Sequence, residues 1–383
     1  MTRPAAKGWC PTTRRPMMSG DGLLVRVKPA YGRLDAQALT CLADLSDQFG
    51  NGVLDLTSRA NLQIRGVSEQ AYPALLSSLQ TAGLAGANLK ADQLNLTLAP
   101  FTGKNSLGWR CADYLYAAAD DLPELPAKFG FSVDCGEKRY LTNASADLFI
   151  EAASGGGVLL RCAGSTDGLV TDEDNLLTSV RTILDWYLGL QAGAPDTPPV
   201  RMRKLLEAHD PPYRATGHLP HAPEHQLAVG PAAGPHIIAA PYGQLTAGDL
   251  YQLAATNSSV QLTTGRMMIV ESLPGPDSHL ITKPDDKRLS MAVCPGAPYC
   301  PSASVRTRDL AESLVRTGAW SGGKTLHISG CAKGCAAPEV RDVCVVGQDG
   351  GFNIIERGCA WQAPSNSGVL ATDILKRVCE LGS

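Results

Sequence analysis

The chain has 383 residues, with 34 basic and 37 acidic side chains and a formal net charge of −3. That balance excludes a nucleic-acid groove or a polybasic membrane patch built on bulk charge. The length suffices for two or three domains, and 39 glycines and 26 prolines favour a mixed, turn-rich fold over a bundle of long helices. No apolar run reaches the roughly 18 to 20 residues of a spanning helix. The opening MTRPAAKGWCPTTRRPMMSGDG has no apolar h-region, so a cytoplasmic location is expected. The 12 cysteines then read as free thiols or metal ligands in preference to bridges. Cys41, Cys111 and Cys162 read as small buried hydrophobes.

Residues 31–43, YGRLDAQALTCLA, predict a turn and a short amphipathic helix with Leu39 and Leu42 on one face. A strand is expected over 53–66, VLDLTSRANLQIRG. In extended chain Arg59, Asn61, Gln63 and Arg65 share one face, with Leu62 and Ile64 on the other. Such a donor-rich face suits either solvent or a ligand with carboxylates or phosphates. Lys128, in LPAKFGF, stands just before a predicted strand at 131–134. Residues 146–161 predict two strands about a two-glycine turn. A helix follows over 174–190, with Leu177, Val180, Leu184 and Leu188 on one face. A Pro-rich linker, 191–213, disfavours continuous helix or central strand.

The later chain repeats this plan. YGQLTAGDLYQLA at 242–254 matches 31–43, with Leu250 and Leu253 in place of the earlier leucines. VQLTTGRMMIVES at 260–272 matches the first strand and contributes Arg266. LHIS at 326–329 matches FSVD at 131–134, and RDVCVVGQDGGFNIIE at 341–356 matches 146–161 without a gap. Asp147 pairs with Asp342, and Gly155 and Gly156 with Gly350 and Gly351. A closing helix is expected over 366–381, with Leu370, Ile374, Leu375 and Val378 on its apolar face. The chain therefore reads as two similar halves, 17–190 and 214–383.

The second half holds the densest chemistry. Cys294 and Cys300 are spaced C-x5-C, and Cys331 and Cys335 C-x3-C. Two local thiol pairs suit a tetrahedral sulfur site, iron–sulfur or zinc. Gly296, Gly330 and Gly334 let the backbone bend closely round such an object, and Pro295, Pro298 and Pro301 stiffen the first loop. The alternative is four unconnected core cysteines. The equivalent first-half positions lack thiols: Cys331 faces Gly136 and Cys335 faces Tyr140. His218, His221 and His225, with Glu224, suit a mononuclear iron or an ordinary polar loop; the loop is the preferred reading, since the spacing singles out no facial triad. No GxGxxG fingerprint stands in a strand–turn–helix setting, so electrons are expected from a separate donor.

With these motifs in view, the chain resembles the sulfite and nitrite reductase family over nearly its whole length. The resemblance rests on the C-x5-C and C-x3-C pairs and the two-halved plan. It implies an α+β, pseudo-two-fold duplicated fold. Ferredoxin-like half-domains would occupy 17–90 and 214–284, a tetrapyrrole-binding α/β domain 91–190, and a cluster domain 285–383. It implies a 4Fe-4S cluster on Cys294, Cys300, Cys331 and Cys335, with Cys335 also bridging to sirohaem iron. Arg59 and Gln63 match the family's TxR-x3-Q strand, and Lys128 its LPxKF motif; these contact the macrocycle's acids or a bound anion. Asn61, Arg65 and Arg266 would complete a cationic cradle. Two departures point away from six-electron reduction of a small anion. The stretch APFTGKNSLGWR lacks the expected arginine–asparagine pair, and Gly130 replaces a second lysine.

Three segments, CPTTRRPMMSGDGLLVRV, NGVLDLTSRANLQIRGV and VCPGAPYCPSA, resemble the precorrin-3B synthase branch of that family. That branch implies precorrin-3A as substrate, hydroxylated at C20 with dioxygen as an acetate closes a γ-lactone. Reducing equivalents would come from NADH through a reductase or ferredoxin, and a non-haem iron would stand beside the cluster. Two other readings are a sirohaem-dependent sulfite or nitrite reductase, and a non-enzymatic, cluster-containing tetrapyrrole-binding protein.

Overall fold

The computed structural model describes residues 4, 9–192, 199–214, 219–220, 224–232 and 234–382. These residues form four five-stranded sheets in two matching pairs. The first ferredoxin-like sheet runs, edge to edge, Met17–Ser19, Gly22–Val27, Leu62–Val67, Val53–Leu56 and Gln244–Thr246, all antiparallel. Its counterpart runs Gly230–Pro231, His236–Ala239, Met267–Val270, Val260–Thr263 and Arg33–Leu34. Each sheet takes one edge strand from the other half. The repeated Tyr-Gly turn makes this exchange: Tyr31 and Tyr242 are left-handed (φ 57° and 56°), as are Gly32 and Gly243 after them (φ 68° and 77°). Glycine tolerates that conformation and tyrosine resists it, so the surrounding pairing must hold the turn.

The helices after these turns are capped by their own sequence. Asp35 accepts the Ala38 amide at the start of Ala36–Phe49. Thr246 and Asp249 form a reciprocal capping box on Ala247–Ala255. Leu39, Leu42, Leu250 and Leu253 are buried in one core shared by both ferredoxin-like sheets, as the periodicity predicts.

The two mixed sheets also match. One runs Leu169–Thr171, Val158–Cys162, Leu148–Ala152, Phe131–Asp134 and Leu96–Leu98. The other runs Asn366–Val369, Gly351–Gly358, Arg341–Gln348, Leu326–Ser329 and Met291–Val293. In each, the last three strands are mutually parallel and the other two pairings antiparallel. Helices Leu107–Ala117 and Leu176–Ala192 cover the first core, and Thr307–Arg316 and Ile374–Gly382 the second. No helix among the described residues is long and apolar enough to cross a membrane.

Three element expectations need correction. The strand expected over 53–66 is a hairpin, with a turn at 57–61. The strand expected over 260–272 is likewise a hairpin, Val260–Thr263 and Met267–Val270. The helix expected over 366–381 starts only at Ile374; Asn366–Val369 is an edge strand, left-handed at Gly368, and Leu370 is 63% exposed. Within the 191–213 linker, Met202–Leu205 forms a short helix.

Candidate functional site

The tips of the two ferredoxin-like hairpins meet on the pseudo-two-fold axis. Arg59 and Thr264 form an antiparallel bridge there. Ala60 and Arg266 occupy matching left-handed positions, φ 56° and 63°. Each tip sends an arginine to a different side. Arg59 reaches the first mixed sheet, its Nη2 donating to Ser145 Oγ at 2.7 Å. Arg266 lies over Gly243, where an added Cβ would stand 2.7 Å from its Cδ. Burial lowers the Arg266 pKa; Asp55 opposes this, Arg308 reinforces it, and Cys294 is close enough to act as well.

On the Arg59 side the structure gathers cations. Arg26 pairs in register with Gln63 and donates to Gln63 Oε1 from Nη2 at 2.6 Å and Nε at 3.1 Å. Lys28 donates to Asp92 O and Asn95 Oδ1, both at 2.8 Å. Arg201 donates to both oxygens of buried Asp147 at 2.8 and 3.0 Å. Burial holds Arg59 below its ordinary pKa; Cys10 opposes this, and the like charges of Arg201 and Arg26 add to it. Lys28 is pushed down to about 8, first by burial and then by Arg26. Like charges gathered in a desolvated place are the electrostatics of an anion site.

The sequence-predicted residues divide on this frame. Gln63 holds Arg26. Asn61 lines a small cavity of about 190 Å³ with Lys28 and Ala60. Asn95 Nδ2 donates to the carbonyls of Ala127 and Phe129, on either side of Lys128, and so ties that loop to Lys28. Arg65 does not join the cradle: it is 1% exposed and taken up by Asp21 at 2.8 Å and Asp55 at 2.6 Å. Arg26, Lys28 and Arg201 were not among the sequence candidates. For the first two a signal exists: in GLLVRVK, buried Leu23, Val25 and Val27 alternate with Leu24, Arg26 and Lys28.

The cysteine loops leave two adjacent parallel strands at one edge. Val293 pairs with Ile328, so Cys294 and Gly330–Cys331 emerge side by side. The Gly330 amide donates to Cys294 Sγ at 3.1 Å. A Cβ on Gly330 would stand 2.5 Å from that of Ala303, so only glycine lets the loops approach this closely. Cys294 is buried, Cys300 and Cys331 are half-buried and Cys335 is exposed. Among the described residues no group of three or more His, Cys, Asp or Glu side chains is placed to hold a metal ion.

The first half grips the first cysteine loop between its two thiols. Tyr299 O accepts Ser19 Oγ at 2.5 Å, Arg65 Nη2 at 3.0 Å and the Gly20 amide at 3.1 Å. Arg65 and Arg308 flank the Tyr299 ring, with guanidinium carbons 5.1 and 5.8 Å from its centroid. Asp55 joins the two arginines, accepting Arg308 Nη2 at 2.5 Å and Arg65 Nη1 at 2.6 Å. Burial would raise the Asp55 carboxyl, but Arg308 and Arg65 hold it below the usual carboxylate range. Gly20 meets the loop so closely that an added Cβ would lie 2.1 Å from Pro298 O. Gly20→Ala is therefore expected to lower the thermal midpoint by several degrees, for a loss of about 1–3 kcal/mol, read by calorimetry.

The histidine group does not form a metal site among the described residues. His218 and His221 lie outside them. Glu224 accepts Thr142 Oγ1 at 2.5 Å and Asn143 Nδ2 at 3.2 Å. His225 stands edge-on to Tyr140, with ring centroids 5.4 Å apart.

Comparison with known proteins bears on this geometry. Residues 15–82 match the nitrite/sulfite reductase ferredoxin-like half domain. A precorrin-3B synthase from Sinorhizobium sp is 28% identical, covering 94% of this chain and 84% of that protein. A ferredoxin–nitrite reductase from Synechococcus elongatus is 25% identical, covering 88% of this chain and 78% of that protein. The Mycobacterium tuberculosis NirA structure superposes with a TM-score of 0.58 at 18% identity, over 93% of this chain and 79% of its own. That likeness speaks to the fold alone, and the duplicated sheet pairs agree with it.

Proposed function

We propose that this chain, a member of the nitrite/sulfite reductase-like family, is an oxidoreductase that works on a polycarboxylate tetrapyrrole, and that its reaction is the oxygen-dependent hydroxylation of precorrin-3A to precorrin-3B. The observation that carries the reading is the cation group Arg26, Lys28, Arg59 and Arg201: burial first, and then the like charge of neighbouring arginines, lowers the pKa of Lys28 and Arg59. A macrocycle edged with carboxylates would relieve that repulsion through charge-assisted bonds. The synthase relative aligns along 94% of the chain, which supports the finer reading over a half-domain likeness.

A 4Fe-4S cluster on Cys294, Cys300, Cys331 and Cys335 is part of this proposal. The donor chemistry fits: four thiols lie on two glycine-bearing loops, with an amide already on Cys294 Sγ. Such a cluster would supply single electrons, delivered by NADH through a separate reductase or by a ferredoxin. The protein's own tasks are then to bind, orient and shield. Arg59, Arg26 and Arg201 hold the substrate's acids, while Gln63 and Asn95 keep Arg26 and Lys28 in place. Arg266 feels the charges of both Asp55 and Cys294, which puts it on the cluster side in this proposal. A mononuclear iron beside the cluster has no ligand set in this proposal.

A second reading is a sirohaem-dependent nitrite or sulfite reductase. It is favoured by the matched half domain and by nitrite reductases among the relatives. One experiment separates the two. Protein purified anaerobically is incubated with precorrin-3A, dioxygen and a reductant, and the product mass is read. A gain of one oxygen atom supports the synthase. Unchanged precorrin-3A, with sirohaem extractable from the protein and nitrite or sulfite consumed, would establish the reductase instead. In either case Arg59→Ala is expected to weaken tetrapyrrole binding by about tenfold or more, the worth of one buried charge-assisted bond, as measured by absorbance titration.

A further inference from the structure

The first half has an open pocket at the place where the second half carries its cysteine loops. Strands Leu96–Leu98 and Phe131–Asp134 correspond to Met291–Val293 and Leu326–Ser329 at a single offset of 195 residues. The same offset sets Ala99 against Cys294, Gly136 against Cys331 and Tyr140 against Cys335. All three first-half residues line a cavity of about 630 Å³. The carboxyl ends of parallel strands are where open α/β sheets bind ligands.

The chemistry of this cavity is not that of its counterpart. Asp134, 2% exposed, forms its floor. Asp134 Oδ2 accepts the amides of Tyr140 at 2.6 Å and Leu141 at 2.8 Å. Asp134 Oδ1 is buried and has no hydrogen-bond partner among the described residues. Burial pushes this carboxyl up to about 6, against the pull of the two amides, so it is mostly ionised at neutral pH. A buried, ionised oxygen without a donor pays a desolvation cost that a ligand would remove. Three rings stand about the cavity at steep mutual angles. Phe101 meets Tyr140 at 63° and Tyr140 meets His225 at 87°, with centroids 5.5 and 5.4 Å apart. Rings in edge-to-face contact form an aromatic wall, and a face left open in such a wall attracts positive charge.

We propose that this cavity binds a small organic cation, a protonated amine or guanidinium, between Asp134 Oδ1 and the aromatic wall of Phe101, Tyr140 and His225. An anionic ligand is disfavoured, since it would meet Asp134 at the floor and Glu137 at the lip, with Lys138 as the lining's one Lys or Arg. The site stands apart from the tetrapyrrole reading and does not rest on it.

The test is a calorimetric titration of the full chain with agmatine at neutral pH. Saturable binding of one agmatine per chain is expected. Asp134→Asn keeps an oxygen for the two amides but turns an N–H2 toward the ligand, and should weaken binding about tenfold or more. Tyr140→Leu removes one ring wall without touching the floor and should weaken it about threefold or more. Absence of saturable binding by the unaltered protein overturns the proposal, as does unchanged affinity in Asp134→Asn. If Asp134→Asn does not fold, Tyr140→Leu decides: equal affinity there overturns the site. Propionate bound in place of agmatine would also overturn it.

Discussion

Replacing Asp55 by alanine is expected to destabilise the protein by about 3–5 kcal/mol, the usual cost of removing one partner from a buried ion-pair group. Among the described residues Asp55 is the single carboxylate joining Arg65 to Arg308. Among the described residues Arg308, whose Nε and Nη1 already lack partners, is then left buried and unpaired, and Arg65 keeps only Asp21 as a carboxylate partner. The damage should spread beyond stability. Arg65 also donates to Tyr299 O, inside the loop that carries Cys294 and Cys300. The variant should therefore show a lower denaturant midpoint and faster proteolysis near 299. Asp55→Asn separates charge from shape, since it keeps the volume and one oxygen acceptor. The sign with pH follows from the depressed carboxyl of Asp55. Its contribution is fully present above the unfolded carboxylate pKa of about 4. It is lost as pH falls below that value toward the lower folded one. The unaltered protein should thus lose stability on acidification below about pH 4 more steeply than Asp55→Asn. Parallel acid limbs for the two proteins would contradict this role.

Much of the architecture is legible in the sequence because the chain states it twice. A strand pattern ambiguous in one copy is resolved by its partner, as FSVD at 131–134 and LHIS at 326–329 show. The exchange of edge strands is not legible. Nothing local to Gln244–Thr246 says that it pairs with Val53–Leu56 instead of its own half. The turn inside 53–66 is hidden for a different reason. Thr57 to Asn61 carries no glycine or proline, and its polar residues continue the strand's alternation. The left-handed residue there is an alanine, Ala60, held by the bridge from Arg59 to Thr264. The second copy has Gly265 in that turn, the signal that could have exposed both. The site was legible in part. Arg59 and Gln63 stand near the cations, but Arg65 shares their apparent face and is consumed by Asp21 and Asp55. Only the tertiary fold brings Asp21 and Arg308 to it. Arg201, from a linker with no periodicity, had no sequence signal at all.

Replacing Cys294 by serine is expected to abolish cluster uptake while leaving the fold in place. Of the four thiols Cys294 is the buried one, and its surroundings are the most fixed. Its sulfur receives the Gly330 amide, and its carbonyl accepts Thr307 Oγ1 at 2.6 Å. Serine keeps the size and the backbone bonds but offers a hard, protonated oxygen where iron–sulfur sites require a soft thiolate. Anaerobic reconstitution followed by iron and sulfide analysis should find about four of each per unaltered chain, and little in the variant. Cys41→Ser, on the helix Ala36–Phe49 away from the loops, should load normally. Equal far-ultraviolet dichroism in the three proteins would show that lost iron is not lost fold. Zinc in place of iron would change the chemistry from electron relay to structural closure. Full iron and sulfide in Cys294→Ser would sink the four-cysteine assignment whatever the activity. The same preparations test the grip on Tyr299. If the first half positions the loop, Asp55→Asn should load iron yet shift the cluster's reduction potential, because the charge facing the loop has changed while all four thiols remain.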